Sequence, residues 1–204
     1  RVSPEILLQE RERVREKLIH LGVPRDVLIG ITRHTLMRNK AFDWVDTNMS
    51  QKESLQFYAN LDSFMRGIEM WAAKHHELFP DTIETLSILA YKGMKMGIVT
   101  NTSREAATYL LKKHSLARFF AVVVARNDVK RLKPCSEMIQ VAMEQLGQLV
   151  GWLVGDSVFD AIAAKDAGIP SIIVRRNGVK PTFDHDYFTS SLRAIASIIK
   201  KTGS

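Results

Sequence analysis

The sequence has a single cysteine, Cys135, among its 204 residues. One thiol can neither close an intrachain disulfide nor supply a cysteine-based zinc cluster, which fits a reducing compartment. Long apolar runs are also missing, since none approaches the ~20 residues of a membrane span. The opening stretch RVSPEILLQERERVREKL is too charged for a secretory signal. These absences together make a cytoplasmic location the expectation. There are no internal repeats, no low-complexity tracts and no basic tract interleaved with aromatics. The net charge of +7 therefore has no nucleic-acid motif behind it and reads as a basic but unspecialised surface. The six histidines are scattered, and the adjacent His75 and His76 cannot share one helix face, so no histidine metal site is expected.

What is present, 46% hydrophobic and 25% charged, suits a folded chain with a sizeable core. It falls into two halves. Residues 1–76 read as wholly helical. Ser3 is an N-cap candidate before Pro4, and apolar residues including Val14 and Leu18 recur at helical spacing until Gly22 and Pro24 stop the run. A second helix is expected over residues 25–37. A third should begin near Ser50, with Leu55, Tyr58, Leu61, Phe64 and Met65 on one face. It either runs on through Met70 and Trp71 or breaks near Gly67.

From about Leu78 the texture changes. Pro80-Asp81-Thr82 opens a helix that Gly93 ends. Short apolar runs with the length of strands follow at 94–99, 119–124, 152–154 and 171–174. Helical segments are expected at 103–114, 136–146 and 159–167, and the tail FDHDYFTSSLRAIASIIKK reads as a polar loop with a closing amphipathic helix. Such alternation indicates an α/β fold, a Rossmann-like parallel sheet covered on both faces. Ligands bind such sheets beyond the carboxyl ends of the strands.

Three stretches sit at strand ends, and each has a plain and a chemical reading. In GDSVFD, Asp156 and Asp160 either cap a turn and a helix start or hold a hard cation such as Mg²⁺, which prefers oxygen ligands. In RLKP, Lys133 is either a surface lysine before a proline or a fixed ammonium that neutralises a phosphate and a nearby carboxylate. In TNTS, Thr100 and Asn101 precede a helix N-terminus, suited to a phosphate, while Thr102 or Ser103 also serves as an ordinary cap.

The order and separation of these stretches resemble the haloacid dehalogenase (HAD) superfamily, in its phosphoglycolate-phosphatase-like branch. FPDTIETLSILAYKGMKMGIVTNTSREAATYLLKKHSL is similar to that family's entry helix and second motif, RLKP to its third, and LVGDSVFDAIAAKDAGIP to its fourth. The resemblance covers roughly residues 78–175. It implies that Thr100 hydrogen-bonds a phosphoryl group, with Asn101 in support, and that Lys133 is the family's lysine. It also implies that Asp156 is an Mg²⁺ ligand, with Asp160 as ligand or support. GDSVFD favours the metal-dependent phosphatases over the dehalogenases themselves. The domains implied are an all-helical cap at 1–76 and an α/β core at 77–204. The implied partner is a small phosphorylated substrate; phosphoglycolate, a sugar phosphate, a nucleotide and pyrophosphate all stay open. Cap residues Arg33, His34 and Arg38 are candidates for contacting it, each also readable as a solvated helix side chain.

One element of the family pattern is missing. Its nucleophile is the first Asp of an Asp-x-Asp-x-Thr motif at the end of the first strand, and no such motif occurs here. FDWVDTN, with Asp43, Asp46 and Thr47, has spacing one residue too long and no strand before it; Asp46 or Thr47 is expected to cap a helix. In the family the motif precedes the cap, so a strand and nucleophile loop of about twenty residues are expected ahead of Arg1 in the native protein. Without that central strand, unpaired backbone groups in a core would cost about 1–3 kcal/mol each. The alternative is a non-catalytic binding or regulatory protein of the same fold.

Overall fold

A computed structural model describes residues 4–202 of the chain. Ser3, the proposed first cap, lies outside them. Helix α1 (Pro4–His20) ends where Gly22 takes a positive φ of 101°, a conformation closed to most side chains. The second helix differs from expectation. Arg25–Leu28 is one 3-10 turn, Gly30 turns the chain at φ +73°, and α2 (His34–Asn48) starts only afterwards. A residue with positive φ cannot continue a right-handed helix, so the apolar pattern of 25–37 is shared between two elements.

Helix α3 (Gln51–His75) opens on a capping box, in which the Ser50 side chain accepts from the Glu53 N–H while Glu53 accepts from the Ser50 N–H. It runs unbroken through Gly67, around which a Cβ would meet no atom within 4 Å. Val14, Leu18, Leu28, Met37, Phe42, Phe57 and Leu61 close a core of their own, confined to residues 14–65. The expected Leu55 is the exception, being 63% exposed.

The second half alternates as its sequence implies: α4 (Thr82–Tyr91), β1 (Gly97–Val99), α5 (Arg104–Lys113), β2 (Val122–Val124), α6 (Glu137–Leu146), β3 (Leu153–Gly155), α7 (Val158–Asp166), β4 (Ser171–Val174), β5 (Tyr187–Thr189) and α8 (Ile195–Thr202). All strand pairings are parallel, with β1 beside β2 and β3 beside β4 beside β5. β1 and β2 each begin three residues into their apolar runs, β3 is displaced by one residue, and β4 coincides with its run. β5 has no counterpart in the sequence reading, which took its YFT as loop. Its position is fixed from a distance by Asp186, which accepts from the Ser171 N–H (2.8 Å) and hydroxyl (2.9 Å) where β4 begins.

Helix α4 starts at Thr82 as expected, with Asp81 in the N-cap position. The Asp81 carboxylate does not cap α4 but forms a two-point ion pair with Arg176 (2.7 and 2.6 Å) and accepts from Ser191 and the Leu192 N–H (both 3.0 Å). Those donors, led by Arg176, hold its pKa far below the usual carboxylate value.

Among the described residues the strands form two groups, β1–β2 and β3–β4–β5, so β1 and β3 each keep one edge unpaired. Gly97 in β1 and Val154 in β3 are exposed, whereas β4 is buried along most of its length. Val99 packs against both core clusters that flank this division, the one built on Val122, Val124 and Met138 and the one built on Ile139, Leu153 and Ala163.

Candidate active site

The stretches singled out in the sequence lie at the carboxyl ends of β1 and β3 and on the loop that follows β2. Lys133 and Asp160 are joined directly. The Lys133 ammonium donates to Asp160 Oδ1 at 2.7 Å and to the carbonyl of Val99, the last residue of β1, at 3.0 Å. Both side chains are largely buried, with 13% and 7% of their surface exposed.

Asp160 reaches this position because α7 begins with a capping box. Ser157 Oγ accepts from the Asp160 N–H, and Asp160 Oδ2 accepts from the Ser157 hydroxyl (2.6 Å), the Ser157 N–H (3.1 Å) and the Asp156 N–H (3.3 Å). Both oxygens are thus engaged, one by the lysine and one by the turn. Of the two roles left open by the sequence, ligand or support, this geometry favours support. Burial alone raises the pKa of Asp160, but the charge and hydrogen bond of Lys133, with the Ser157 donors, more than offset it, and the net shift is downward. Gly155 makes this packing possible, because a Cβ there would lie 2.3 Å from Asp160 Cγ.

Asp156 is different. It is solvent-accessible at the end of β3, and among the described residues no cation pairs with it. The surrounding protein mass, and after it the charge of Asp160, push its pKa above the ordinary carboxylate value. An unpaired carboxylate beside a second one, at a strand end, suits a hard divalent cation. Among the described residues no cluster of three or more His, Cys, Asp or Glu forms a metal cage. Asp156 and Asp160 are the two carboxylates present, and a Mg²⁺ ion held by so few protein ligands would take the rest of its shell from water and phosphate oxygen.

Thr100 follows β1. Its N–H donates to Val124 O (2.9 Å), and its Oγ1 accepts from the Thr102 N–H (3.2 Å) while keeping a hydroxyl proton to donate. Ser103, not Thr102, is the N-cap of α5. Asn101 turns to the RLKP loop and holds the peptide of Lys133 at both ends: its Nδ2 donates to Lys133 O, and its Oδ1 accepts from the Lys133 N–H, each at 3.1 Å.

Sequence reasoning missed a matching amide from the helical half. Asn39 of α2 holds the preceding residue in the same way, donating to Leu132 O (2.9 Å) and accepting from the Leu132 N–H (3.0 Å). Consecutive residues of the lysine loop are thus fixed by one Asn from each half. The FDWVDTN string joins this contact. It lies inside α2 and caps nothing; Thr47 bonds back to Asp43 O, while Asp43 pairs with Arg131 and Asp46 with Lys130. Arg126 and Glu69 are further omissions. Glu69 of α3 accepts from the Ser103 N–H (2.9 Å) and pairs with buried Arg126 (2.8 Å), which also meets Asp62 (2.9 Å). Of the three cap candidates, Arg33 and His34 are exposed, whereas Arg38 is 3% exposed and not a solvated side chain. The separations in the contacts between the two halves, 34 to 93 residues, leave no local signal in the sequence.

The architecture is that of a known fold. A solved HAD phosphatase from Thermococcus onnurineus superposes with a TM-score of 0.61 at 28% identity, covering 96% of this chain and 91% of that one. Residues 27–174 match the profile of the haloacid dehalogenase-like hydrolases, and the chain belongs to that family. Among its relatives, pyrophosphatase PpaX of Halalkalibacterium halodurans is 34% identical over 135 residues, 61% of this chain and 63% of that protein. A phosphoglycolate phosphatase of Shigella boydii is 33% identical over 144 residues, 69% of this chain and 56% of that protein. The chain thus spans about three fifths of the length of these two relatives. No helix among the described residues is long and apolar enough to cross a membrane.

Proposed function

We propose that this chain forms most of a cytoplasmic, Mg²⁺-dependent phosphatase acting on small phosphomonoesters, with residues 1–76 as its cap and 77–204 as its core. The observation that carries this reading is the Lys133–Asp160 pair, anchored to the carbonyl at the end of β1 and adjoining the accessible Asp156. The names of the relatives add a phosphate substrate class, with phosphoglycolate and pyrophosphate among the candidates.

Lys133, with its ammonium fixed and mostly shielded from water, offsets charge on the transferring phosphoryl oxygens, and Thr100 donates its hydroxyl proton to one of them. Asn101 keeps the lysine loop in register with β1. Asp156 would hold Mg²⁺, with Asp160 supporting it through the turn at Ser157. When bound there, the ion supplies charge neutralisation for nucleophile and phosphate. The mechanism calls for two further aspartates, a nucleophile and a general acid/base, on a strand that the unpaired edges of β1 and β3 would accommodate. The first attacks phosphorus in line, forming an aspartyl-phosphate as the bond to the leaving oxygen breaks. The second protonates that oxygen, then takes a proton from the water that attacks phosphorus and frees the first aspartate. The cap would exclude other water and read the leaving group.

The test is a phosphomonoester panel on the full-length protein with Mg²⁺ or EDTA, alongside Asp156→Asn. Metal-independent turnover, or an unimpaired variant, would defeat the mechanism. The codons upstream of Arg1 decide between this enzyme and a non-catalytic relative. An apolar strand ending in Asp-x-Asp supports hydrolysis, and any other pair supports the binding protein.

A further inference from the structure

The segment that carries Lys133 lies outside helix and strand, yet the N–H groups of residues 130–133 all meet side-chain acceptors. Glu137, in the first turn of α6, accepts from Lys130 (2.8 Å) and Arg131 (2.7 Å). Asn39 accepts from Leu132 (3.0 Å) and Asn101 from Lys133 (3.1 Å). Leu132 is buried, so water is no substitute acceptor there. Of these three side chains only Asn39 belongs to the helical half.

Asn39 and Asn101 also meet on a single peptide group. Leu132 O and the Lys133 N–H belong to one planar unit. Asn39 Nδ2 donates to that oxygen at 2.9 Å, and Asn101 Oδ1 accepts from that N–H at 3.1 Å. The Cys135 N–H shares the oxygen at 3.1 Å. Arg38 steadies the arrangement by donating to Lys130 O (3.0 Å) and to Asn39 Oδ1 (3.4 Å). One amide from each half thus sets the plane from which the lysine side chain departs. At the far end of a flexible stem, the ammonium sits between Asp160 Oδ1 and Val99 O. Such a stem delivers its head to one place only while its root is fixed.

We propose that Asn39 is a positioning residue for Lys133, which holds the ammonium in register with β1 and α7 while α2 is docked on the core. Undocking of α2 leaves the Leu132 N–H without its acceptor, so placement of the lysine and docking of the halves are linked. The helical half thereby takes part in phosphoryl transfer without touching the phosphoryl group. That catalytic consequence rests on the phosphatase reading, whereas the positioning is independent of it.

The test uses the full-length protein. Asn39→Ala removes both bonds, and Asn39→Asp keeps the acceptor for the Leu132 N–H but loses the donor to Leu132 O. Arg66→Met, which cuts the exposed contact of α3 with Glu105, controls for docking in general. Two readouts need no turnover: acetic anhydride labelling of Lys133 followed by mass spectrometry, and amide exchange at Leu132 and Lys133 by NMR. Asn39→Ala should accelerate both by about tenfold or more, as the loss of two hydrogen bonds implies, and Asn39→Asp by less. Arg66→Met should leave both within about twofold of the wild type. In turnover, Asn39→Ala should lower kcat by about tenfold or more with little change in KM, and by one factor for every leaving group. In a Lys133→Met background it should add little further loss, because the two residues act as one unit. Unchanged labelling, equal acceleration in Arg66→Met, additive losses or a factor that varies with the leaving group would each overturn the assignment. If the wild type hydrolyses no phosphomonoester, the phosphatase reading falls, and labelling and exchange alone decide for or against Asn39. Asn39→Asp decides if the alanine variant does not fold.

Discussion

The ammonium of Lys133 and the carboxylate of Asp160 meet at 2.7 Å, and the same ammonium holds the carbonyl at the end of β1. One contact therefore couples the loop after β2, the start of α7 and the strand end that carries Thr100. Lys133→Met is expected to lower kcat of the full-length enzyme by about two orders of magnitude or more, in the range of losing one electrostatic donor. It also leaves Asp160 buried without its cation. Steady-state kinetics with circular dichroism as a folding control would check this, and a tenfold or smaller loss would remove Lys133 from the phosphoryl site.

Gly155→Ala tests the packing beneath that pair. A Cβ 2.3 Å from Asp160 Cγ must push the carboxylate or the strand aside. Overpacking of this kind costs about 1–3 kcal/mol. Urea denaturation should show that loss, and a crystal structure of the variant should show the Lys133–Asp160 contact lengthened. A variant as stable as the wild type would mean that the turn relaxes freely.

The two aspartates should respond to pH with opposite sign. The pKa of Asp156 is raised, so its stabilising contribution is complete below the ordinary carboxylate value of about 3.9 and is lost as pH rises through the higher folded value. Charged Asp156 is then unfavourable at neutral pH. In the absence of divalent cations Asp156→Asn should melt above the wild type at pH 7, with the gap closing as pH falls. The pKa of Asp160 is lowered, so its contribution is present above the ordinary value and disappears as pH falls through the lower folded value. Asp160→Asn should melt below the wild type at pH 7 and converge with it in acid. Differential scanning calorimetry across this range distinguishes the pair, and parallel curves would contradict both signs.

Asp81→Asn is expected to be the more damaging carboxylate substitution for the fold. It strips a two-point partner from Arg176 and a shared acceptor from Ser191 and Leu192. Breaking such a buried pair costs about 3–5 kcal/mol. Because the pKa of Asp81 is depressed, the wild type should lose this stability in acid and the variant should not. Denaturation at two pH values reads out the difference.

The ion pairs Asp43–Arg131 and Asp46–Lys130 are partly exposed, with 30–52% of their side-chain surfaces open. Together Asp43→Asn and Asp46→Asn should cost only about 0.5–2 kcal/mol, a loss that high salt reproduces in the wild type. Limited proteolysis of the 129–133 segment should nevertheless accelerate. Unchanged cleavage would show that the two ion pairs do not hold that segment.

Local patterns in this chain are legible where the information is local. The apolar run before Gly155-Asp156-Ser157, the Ser157 cap and the helix after it lie within one stretch, so strand, turn and carboxylates follow from spacing. Alternating strands and helices likewise identify the parallel sheet. The second helix is misread because Gly30 divides an apolar pattern whose period alone cannot say where the backbone turns. β5 is missed because three residues carry no period, and its place depends on Asp186 meeting Ser171.

The sequence by itself determined the α/β core, the helical half, the strand-end positions of Thr100 and Asp156, the loop position of Lys133 and the helix-start position of Asp160, because periodicity, caps and turns act over a few residues. Only the tertiary structure decided that Asp160 is held by Lys133 and Ser157 while Asp156 stays accessible. It alone placed Asn39 on the lysine loop, turned Asp43 and Asp46 into cross-half ion pairs and buried Arg38. Those outcomes depend on charges and amides brought together across dozens of residues by packing, and burial then sets what each of them can do.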